Sequence, residues 1–397
     1  MLLMSVGLLM LGIGLQNTLL GVRAGLESFS SLEVGSLMAC YFIGFLAGSL
    51  LSPYYVSNVG HIRTFSALAS LASCAALLHL LKVDPVSWGV LRFITGFCIA
   101  GLYLVVESWL NGRAEKEFRG VLLSAYFFVN LGGVALGQLL LQTDDPKSFE
   151  LFIYASVLVS LAILPVALMR TEAPAPTRTV NFSFTNLTRI SHYALVGTAM
   201  AGIANGAFWG LAPLYGVQIG ASPDEIAVAM TIIILGGAAL QLPLGRLSDI
   251  IDRRIVMSVA NALLGLMAAL IAIGFSTNNT LMLTLAFIFG GLLLTQYGLC
   301  IAHANDFVAD GDYVQLASAL LLVFGACAAI GPVIGAVFMT KFGPRAIFWL
   351  ISVAAFTSTF YALWRMSQRH PVEAPGAQDF APSAAGLSGA ILAPNQA

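Results

Sequence analysis

Long apolar stretches separated by short polar turns run from the first residue of this chain almost to residue 365. A helix that crosses the hydrocarbon layer of a bilayer needs about 20 mainly apolar residues. Runs of that kind lie near 1–22, 33–53, 65–82, 88–110, 120–141 and 151–169. A polar break at 170–192 carries Pro174, Pro176, three arginines and two sequon-like triplets, Asn181-Phe-Ser and Asn186-Leu-Thr. Six more runs follow near 193–216, 226–245, 255–275, 280–303, 314–338 and 347–365. Residues 367–397 are rich in Pro, Ala, Gly and Ser and read as a disordered tail.

The expected fold is all-α and integral to the membrane, with twelve transmembrane helices in two six-helix halves. Those halves are residues 1–169 and 193–366, joined by the linker 170–192 and followed by the tail 367–397. Composition agrees. Only 9% of residues are charged, 58% are hydrophobic and the mean hydropathy is +0.89, whereas soluble domains carry about 25% charged residues. A net charge of −1 without a basic cluster leaves nucleic acid out as a partner. The five cysteines (Cys40, Cys74, Cys98, Cys300, Cys327) sit in apolar runs without metal-ligand spacing, so they read as packing residues and no metal is expected.

Basic residues set the orientation, because lysine and arginine stay preferentially on the cytoplasmic side. With the N-terminus inside, twelve of the eighteen fall in cytoplasmic segments, five fall outside and Arg92 lies within a span. Both termini are therefore expected in the cytoplasm, in the inner membrane of a bacterium. The first run, ending at Val22-Arg23-Ala24, has the apolar core of a signal peptide but no basic residue ahead of it.

An internal repeat argues against cleavage there. Sliding the chain by 192 residues lays SSLEVG (30–35) on SPDEIA (222–227), SNVGHIR (57–63) on DIIDRRI (249–255) and Gly44 on Gly236. A shift of 196 sets Glu107 against His303. The first span is then the counterpart of 193–216 and belongs to the fold.

Together, the twelve spans, the central linker and the stretch GRLSDIIDRR (245–254) resemble the major facilitator superfamily. That stretch is similar to the family's Gly-x-Leu-x-Asp-x-x-Gly-Arg-Arg loop signature, with Asp252 replacing the second glycine. The resemblance makes Gly245, Asp249, Arg253 and Arg254 a conformational clip, with Asp249 accepting charge-assisted hydrogen bonds and the arginines engaging carbonyls or anionic lipid. The first-half counterpart, PYYVSNVGHIR (53–63), keeps Gly60 and Arg63 but has Ser57 where the acid belongs. RFITG (92–96) resembles the family's Arg-x-x-x-Gly element. VVESWLNGRAEKEFRG (105–120) resembles the acid followed by Arg-Gly that brackets the loop after span four, and the runs VVES, RGVLLSAYFFVNLGGVALGQLLL and WGLAPLYG (209–216) look closest to its YcaD-like branch.

An ionisable group in mid-membrane costs roughly 2.5–3.5 kcal/mol on insertion scales and needs a reason. Arg92, Gly96, Tyr103 and Glu107 fall within an arc of about 60° on span four, so one stripe faces protein or water. Glu107 is the expected proton-coupling site, with Arg92 and His303 as further members; the plain alternative is an ion pair of Glu107 with Arg113 or Arg119. Asn17, Tyr103, Tyr126, Asn130, Asn205, Trp209 and Gln296 are the expected lining of a central cavity, because the resemblance puts spans one, four, seven and ten around it, with five taking part. Amides and aromatics without excess charge suit a neutral or amphipathic organic solute. The same residue types also glue membrane helices together.

The function expected is secondary active transport of a small organic solute by alternating access, coupled to protons, by a monomer without cofactor. Multidrug efflux by proton antiport is the nearest alternative, weakened because NLGGVALGQ (130–138) has no Gly-Pro element. A non-transporting sensor would need an added domain, and the loops are short. No Gly-x-x-x-x-Gly-Lys loop serves ATP, and His61, His79, His192, His303 and His370 form no catalytic grouping.

Overall fold

The computed structural model describes residues 1–113, 119–168, 192–274, 279–307 and 313–368. The linker up to residue 191 and the tail from residue 369 lie outside the described residues. Within them the chain is helical, without strands, and twelve helices are long and apolar enough to span a membrane.

The first six are α1 (Leu2–Leu26), α2 (Ser31–Val59), α3 (His61–Leu78), α4 (Pro85–Arg113), α5 (Arg119–Leu139) and α6 (Glu150–Ala167). The second six are α7 (His192–Gln218), α8 (Pro223–Ile250), α9 (Arg253–Ile273), α10 (Asn279–Asn305), α11 (Tyr313–Phe342) and α12 (Ala346–Gln368). Several exceed the apolar run that marks them, since polar caps extend the helix past the hydrocarbon. At α2 the Ser30 amide donates to Glu33 Oε2 (2.7 Å) and the Glu33 amide to Ser30 Oγ (3.3 Å), a reciprocal capping box. The same box opens α8, with the Ser222 amide on Glu225 Oε2 (2.8 Å) and the Glu225 amide on Ser222 Oγ (3.2 Å). Leu136, Phe128, Val353 and Phe360 are exposed on helix surfaces, where lipid would cover them.

By internal packing the chain forms two compact units, Met1–Thr179 with Trp209–Thr231, and Val180–Phe208 with Ile232–Ala397. The first unit thus takes in the C-terminal part of α7 and the N-terminal part of α8.

The repeat is written in backbone approaches that only glycine permits. A methyl group on Gly44 of α2 would lie 2.0 Å from Phe93 O of α4, and one on Gly96 of α4 would lie 2.0 Å from Tyr41 O. In α8 and α10 the matching distances are 1.9 Å from Gly236 to Phe287 O and 2.1 Å from Gly290 to Ile233 O. Likewise Gly14 meets Val134 O and Gly137 meets Leu11 O between α1 and α5, as Gly206 meets Ala328 O and Gly331 meets Ile203 O between α7 and α11. These are the close backbone approaches that small residues allow in membranes.

The packing also corrects one alignment. Gly44 to Gly236 is an offset of 192, while Gly96 to Gly290 is one of 194. At 194, Glu107 stands opposite Ile301, and His303 stands opposite Trp109. The expected pairing of Glu107 with His303 matched polarity; in an apolar helix the backbone approach fixes the phase.

Candidate functional site

Two polar constellations sit in the first unit, both on the stripe of α4. Where α5 is pressed on α1 through Gly133 and Gly137, it presents Tyr126 and Asn130 to α4. Tyr126 Oη donates to Glu107 Oε1 at 3.0 Å. One turn along, Asn130 Nδ2 donates to Tyr103 Oη at 3.4 Å, and Tyr103 Oη donates to Met10 Sδ at 3.0 Å. All four polar residues are buried, and Asn130 Oδ1 has no hydrogen-bond partner among the described residues. Three expected cavity residues (Tyr103, Tyr126, Asn130) and the expected proton site thus form one file between α4, α5 and α1. The side chains of Arg113 and Arg119, the alternative partners of Glu107, lie outside the described residues.

Nearer the start of α4 lies the second constellation. Arg92 is 3% exposed. Its Nη1 donates to Asn17 Oδ1 of α1 at 2.9 Å, and the guanidinium lies 4.3 Å from the centre of the Tyr41 ring of α2. The glycine of the Arg-x-x-x-Gly element explains this geometry: Gly96 lets α4 ride on Tyr41 O, which puts the Tyr41 ring within reach of Arg92 one turn away. Fifteen residues at 1.5 Å each separate Arg92 from Glu107 by about 22 Å, so the two charges do not pair.

At one end of this unit the chain is tightly closed. Gly21 of α1 faces Pro213 of α7, where an added methyl would lie 2.8 Å from Pro213 Cβ, and Gly25 faces Val217. Gln218 Nε2 donates to Ser31 Oγ at 3.0 Å, and Thr231 Oγ1 of α8 donates to Ala135 O at 3.3 Å. Asn17 and Trp209 lie one turn before Gly21 and Pro213 on the same helix faces. Both are only partly buried.

In the second unit, Asn205 Nδ2 donates to Ala201 O (2.9 Å) and Leu293 O (3.4 Å), and Gln296 Nε2 donates to Leu292 O (3.0 Å). Asn205 Oδ1 and Gln296 Oε1 are buried without hydrogen-bond partners among the described residues. Asn205 thus ties α7 to α10, while Gln296 bonds within its own helix. His303 is buried between the rings of Tyr193 (5.5 Å) and Phe307 (5.1 Å).

At the α8–α9 turn the residues expected to form a clip meet a different set of partners. Arg253 Nη2 donates to Asp249 Oδ1 at 2.7 Å, Nη1 to Ala302 O of α10 at 2.6 Å and Nε to Ser248 O at 3.3 Å. A second carboxylate, Asp306 Oδ1, stands 3.1 Å from Nη1. Gly245 O accepts from Ser248 Oγ at 2.6 Å. Arg254, expected on carbonyls or lipid, instead pairs with Asp252 at 2.7 Å. The reason is local: Asp252 caps α9, accepting from the Arg254 amide (2.9 Å), and its free oxygen draws the guanidinium back. Hydrogen bonds from Arg254 hold the Asp252 carboxyl below its ordinary range. Asp306 moves the other way, pushed up to about 6 because burial and the neighbouring carboxylates outweigh Arg253.

Sequence reasoning missed Asp306, Tyr41 and His61. His61 Nε2 hydrogen-bonds Ser108 Oγ at 2.9 Å. At the two packing offsets His61 is the counterpart of Arg253 and Ser108 that of Ala302. The first half thus joins α3 to α4 with an imidazole where the second joins α9 to α10 with a guanidinium. The shift that laid SNVGHIR on DIIDRRI already paired His61 with Arg253; attention to Arg63 concealed it.

Comparison with known proteins agrees with this architecture. The Major Facilitator Superfamily model matches residues 194–395, and the Sugar (and other) transporter model matches residues 12–175. The uncharacterized MFS-type transporter YcaD of Escherichia fergusonii is 30% identical over 354 residues, covering 88% of this chain and 91% of that protein. That of Shigella flexneri is 30% identical over 355 residues, with the same coverage. Among solved structures, the nucleoside transporter NupG superposes with a TM-score of 0.74 at 13% identity, covering 94% of this chain and 98% of that one. The D-xylose-proton symporter does so with a TM-score of 0.69 at 14% identity, covering 91% and 95%. With two packed glycine repeats, twelve spans and relatives at this identity over nearly their whole length, the chain belongs to the major facilitator superfamily of membrane transporters.

Proposed function

We propose that this chain is a secondary active transporter that carries a small organic solute by alternating access and couples its movement to protons through Glu107. The carrying observation is the buried Glu107–Tyr126 pair on α4: a carboxyl 4% exposed, with a phenol at 3.0 Å and no cation within ion-pair distance among the described residues. Charge is expensive there, whereas a neutral acid is not. Binding a proton would let the site close over Glu107, and releasing it would need water, so protonation and conformation would be linked. Asn205 and Gln296 each leave an acceptor free in the second unit, suited to a solute with hydrogen-bond donors. The closed ends of α1 and α7 fit one extreme of the transport cycle. Given the basic-residue tally, with both termini in the cytoplasm of a bacterial inner membrane, that closed end faces outward. The D-xylose-proton symporter offers a precedent for proton coupling on this fold.

The test is Glu107→Gln in proteoliposomes, which mimics the protonated form at the same size. Accumulation driven by a pH gradient should be lost while counterflow exchange, which needs no net proton movement, continues. Gradient-driven accumulation at the wild-type level would remove Glu107 from coupling.

A further inference from the structure

Arg92 is a guanidinium buried without a counter-ion. Among the described residues no carboxylate lies within 4.0 Å of it. Its company is the Asn17 oxygen and the Tyr41 ring, and its Nε has no acceptor. Arginine forks take carboxylates and phosphates in pairs of hydrogen bonds, so an idle buried edge is unfinished recognition.

The fold does not require this charge. At the packing offsets, Asn17, Tyr41 and Arg92 correspond to Trp209, Ile233 and Ala286. The second half makes the same α8–α10 approach with Ile233 and Gly290, without arginine. Location adds to the case. Asn17 shares a helix face with Gly21, one turn deeper than the α1–α7 closure, and remains partly exposed on the level of Trp209. The amide that holds the guanidinium is thus partly exposed one turn beneath the closed end, and the partly exposed Trp209 lies one turn beneath Pro213.

We propose that Arg92 and Asn17 form a subsite for the anionic head of the solute, a single carboxylate on an apolar or aromatic body. One guanidinium balances one negative charge, and among the described residues no lysine or second arginine joins it by hydrogen bond or ring contact to serve a phosphate dianion. Arg92 supplies the fork, Asn17 orients it, and the aromatic side chains at this level take the solute's body. Glu107, about 22 Å away along α4, is left free to carry the proton. This assignment rests on the transport reading above and narrows it to organic acids.

The test uses proteoliposomes under an imposed pH gradient in either orientation, with mass-spectrometric readout against protein-free liposomes. The probes are lactate, levulinate, nicotinate and hippurate, each beside its carboxamide. Accumulation should be confined to carboxylates. Arg92→Gln should raise the half-saturating concentration about 10- to 100-fold, the range of a lost charge-assisted pair, with maximal rate much less affected. Asn17→Asp installs a carboxylate against the guanidinium. It should abolish carboxylate transport and raise the melting temperature, so it reports even if Arg92→Gln folds poorly. Equal accumulation of a carboxamide and its acid, or an unchanged half-saturation in Arg92→Gln, would overturn the anion subsite and leave the transporter reading standing. No movement of either set would count against both.

Discussion

Arg253 is held by two carboxylates and two carbonyls, and this arrangement predicts non-additive mutations. The side chain is 7% exposed, with Asp249 at 22% and Asp306 at 11%. A hydrogen bond to a charged group contributes about 1.5–3 kcal/mol when lost. Asp249→Asn leaves Asp306 and Ala302 O in place and should cost about 1–2 kcal/mol after discounting for partial exposure, while Asp306→Asn, which keeps Asp249 and mimics the protonated carboxyl, should cost little at neutral pH. The double change strands a buried guanidinium on carbonyls alone. Breaking such a pair outright costs about 3–5 kcal/mol, which is more than the singles combined at their lower bound. A double-mutant cycle on detergent-solubilised protein, read by thermal unfolding with ligand absent, should give a coupling of about 1 kcal/mol. The same Asp249→Asn variant should fold but turn over more slowly, because the clip would favour one state of the cycle.

Acidity gives a second reading of that site. A carboxyl raised from 3.8 to about 6 in the fold binds its proton more tightly there than in the unfolded chain. Its contribution to stability is therefore fully present below pH 3.8 and is lost as pH rises through 6. Asp306→Asn should flatten that part of the stability profile. An additive cycle together with an unchanged pH profile would mean that Asp306 is a bystander and that Arg253 is held by Asp249 and the backbone.

Two further outcomes follow from the packing and the charge bias. Gly96→Ala should cost at least about 1–3 kcal/mol, since its methyl would overlap Tyr41 O and pry α2 from α4; wild-type melting would refute the close approach. In a cysteine-free background, Val180→Cys should resist an impermeant thiol reagent added outside intact cells and react after permeabilisation. Labelling from outside would invert the topology.

The spans were legible because about 20 apolar residues in a row have few alternatives to crossing a bilayer. Their pairing was half legible. Gly44 and Gly236 came out correctly at 192, yet α10 was read two residues out of phase because Glu107 and His303 share polarity rather than position. Partners supplied by tertiary proximity were not legible at all. Nothing in RFITG says that Tyr41 will lie over Arg92; that follows from a glycine on α4 meeting a carbonyl on α2. Asp306 lies just past the apolar run 280–303, and only the fold of the α8–α9 turn brings it to Arg253. Arg254 was misjudged because Asp252 seemed a gap in a motif, whereas as a cap it commits the arginine beside it.

The change of offset between the halves has a consequence for how this chain tolerates length. From Gly14 through Ser30 and Gly44 to His61 the counterpart is always 192 residues on; from Phe93 through Gly96 to Gly137 it is always 194. The whole difference therefore accumulates between His61 and Phe93, in α3, its turn into α4 and the first residues of α4. Two residues added inside a helix would rotate everything beyond them by about 200°, turning Gly96 and Arg92 away from α2. A turn absorbs the same addition without rotating its neighbours. The α3–α4 connection lies within the stretch where the two halves differ in length. It is the place to graft a tag, a reporter domain or an antibody epitope while the buried stripe of α4 stays in phase.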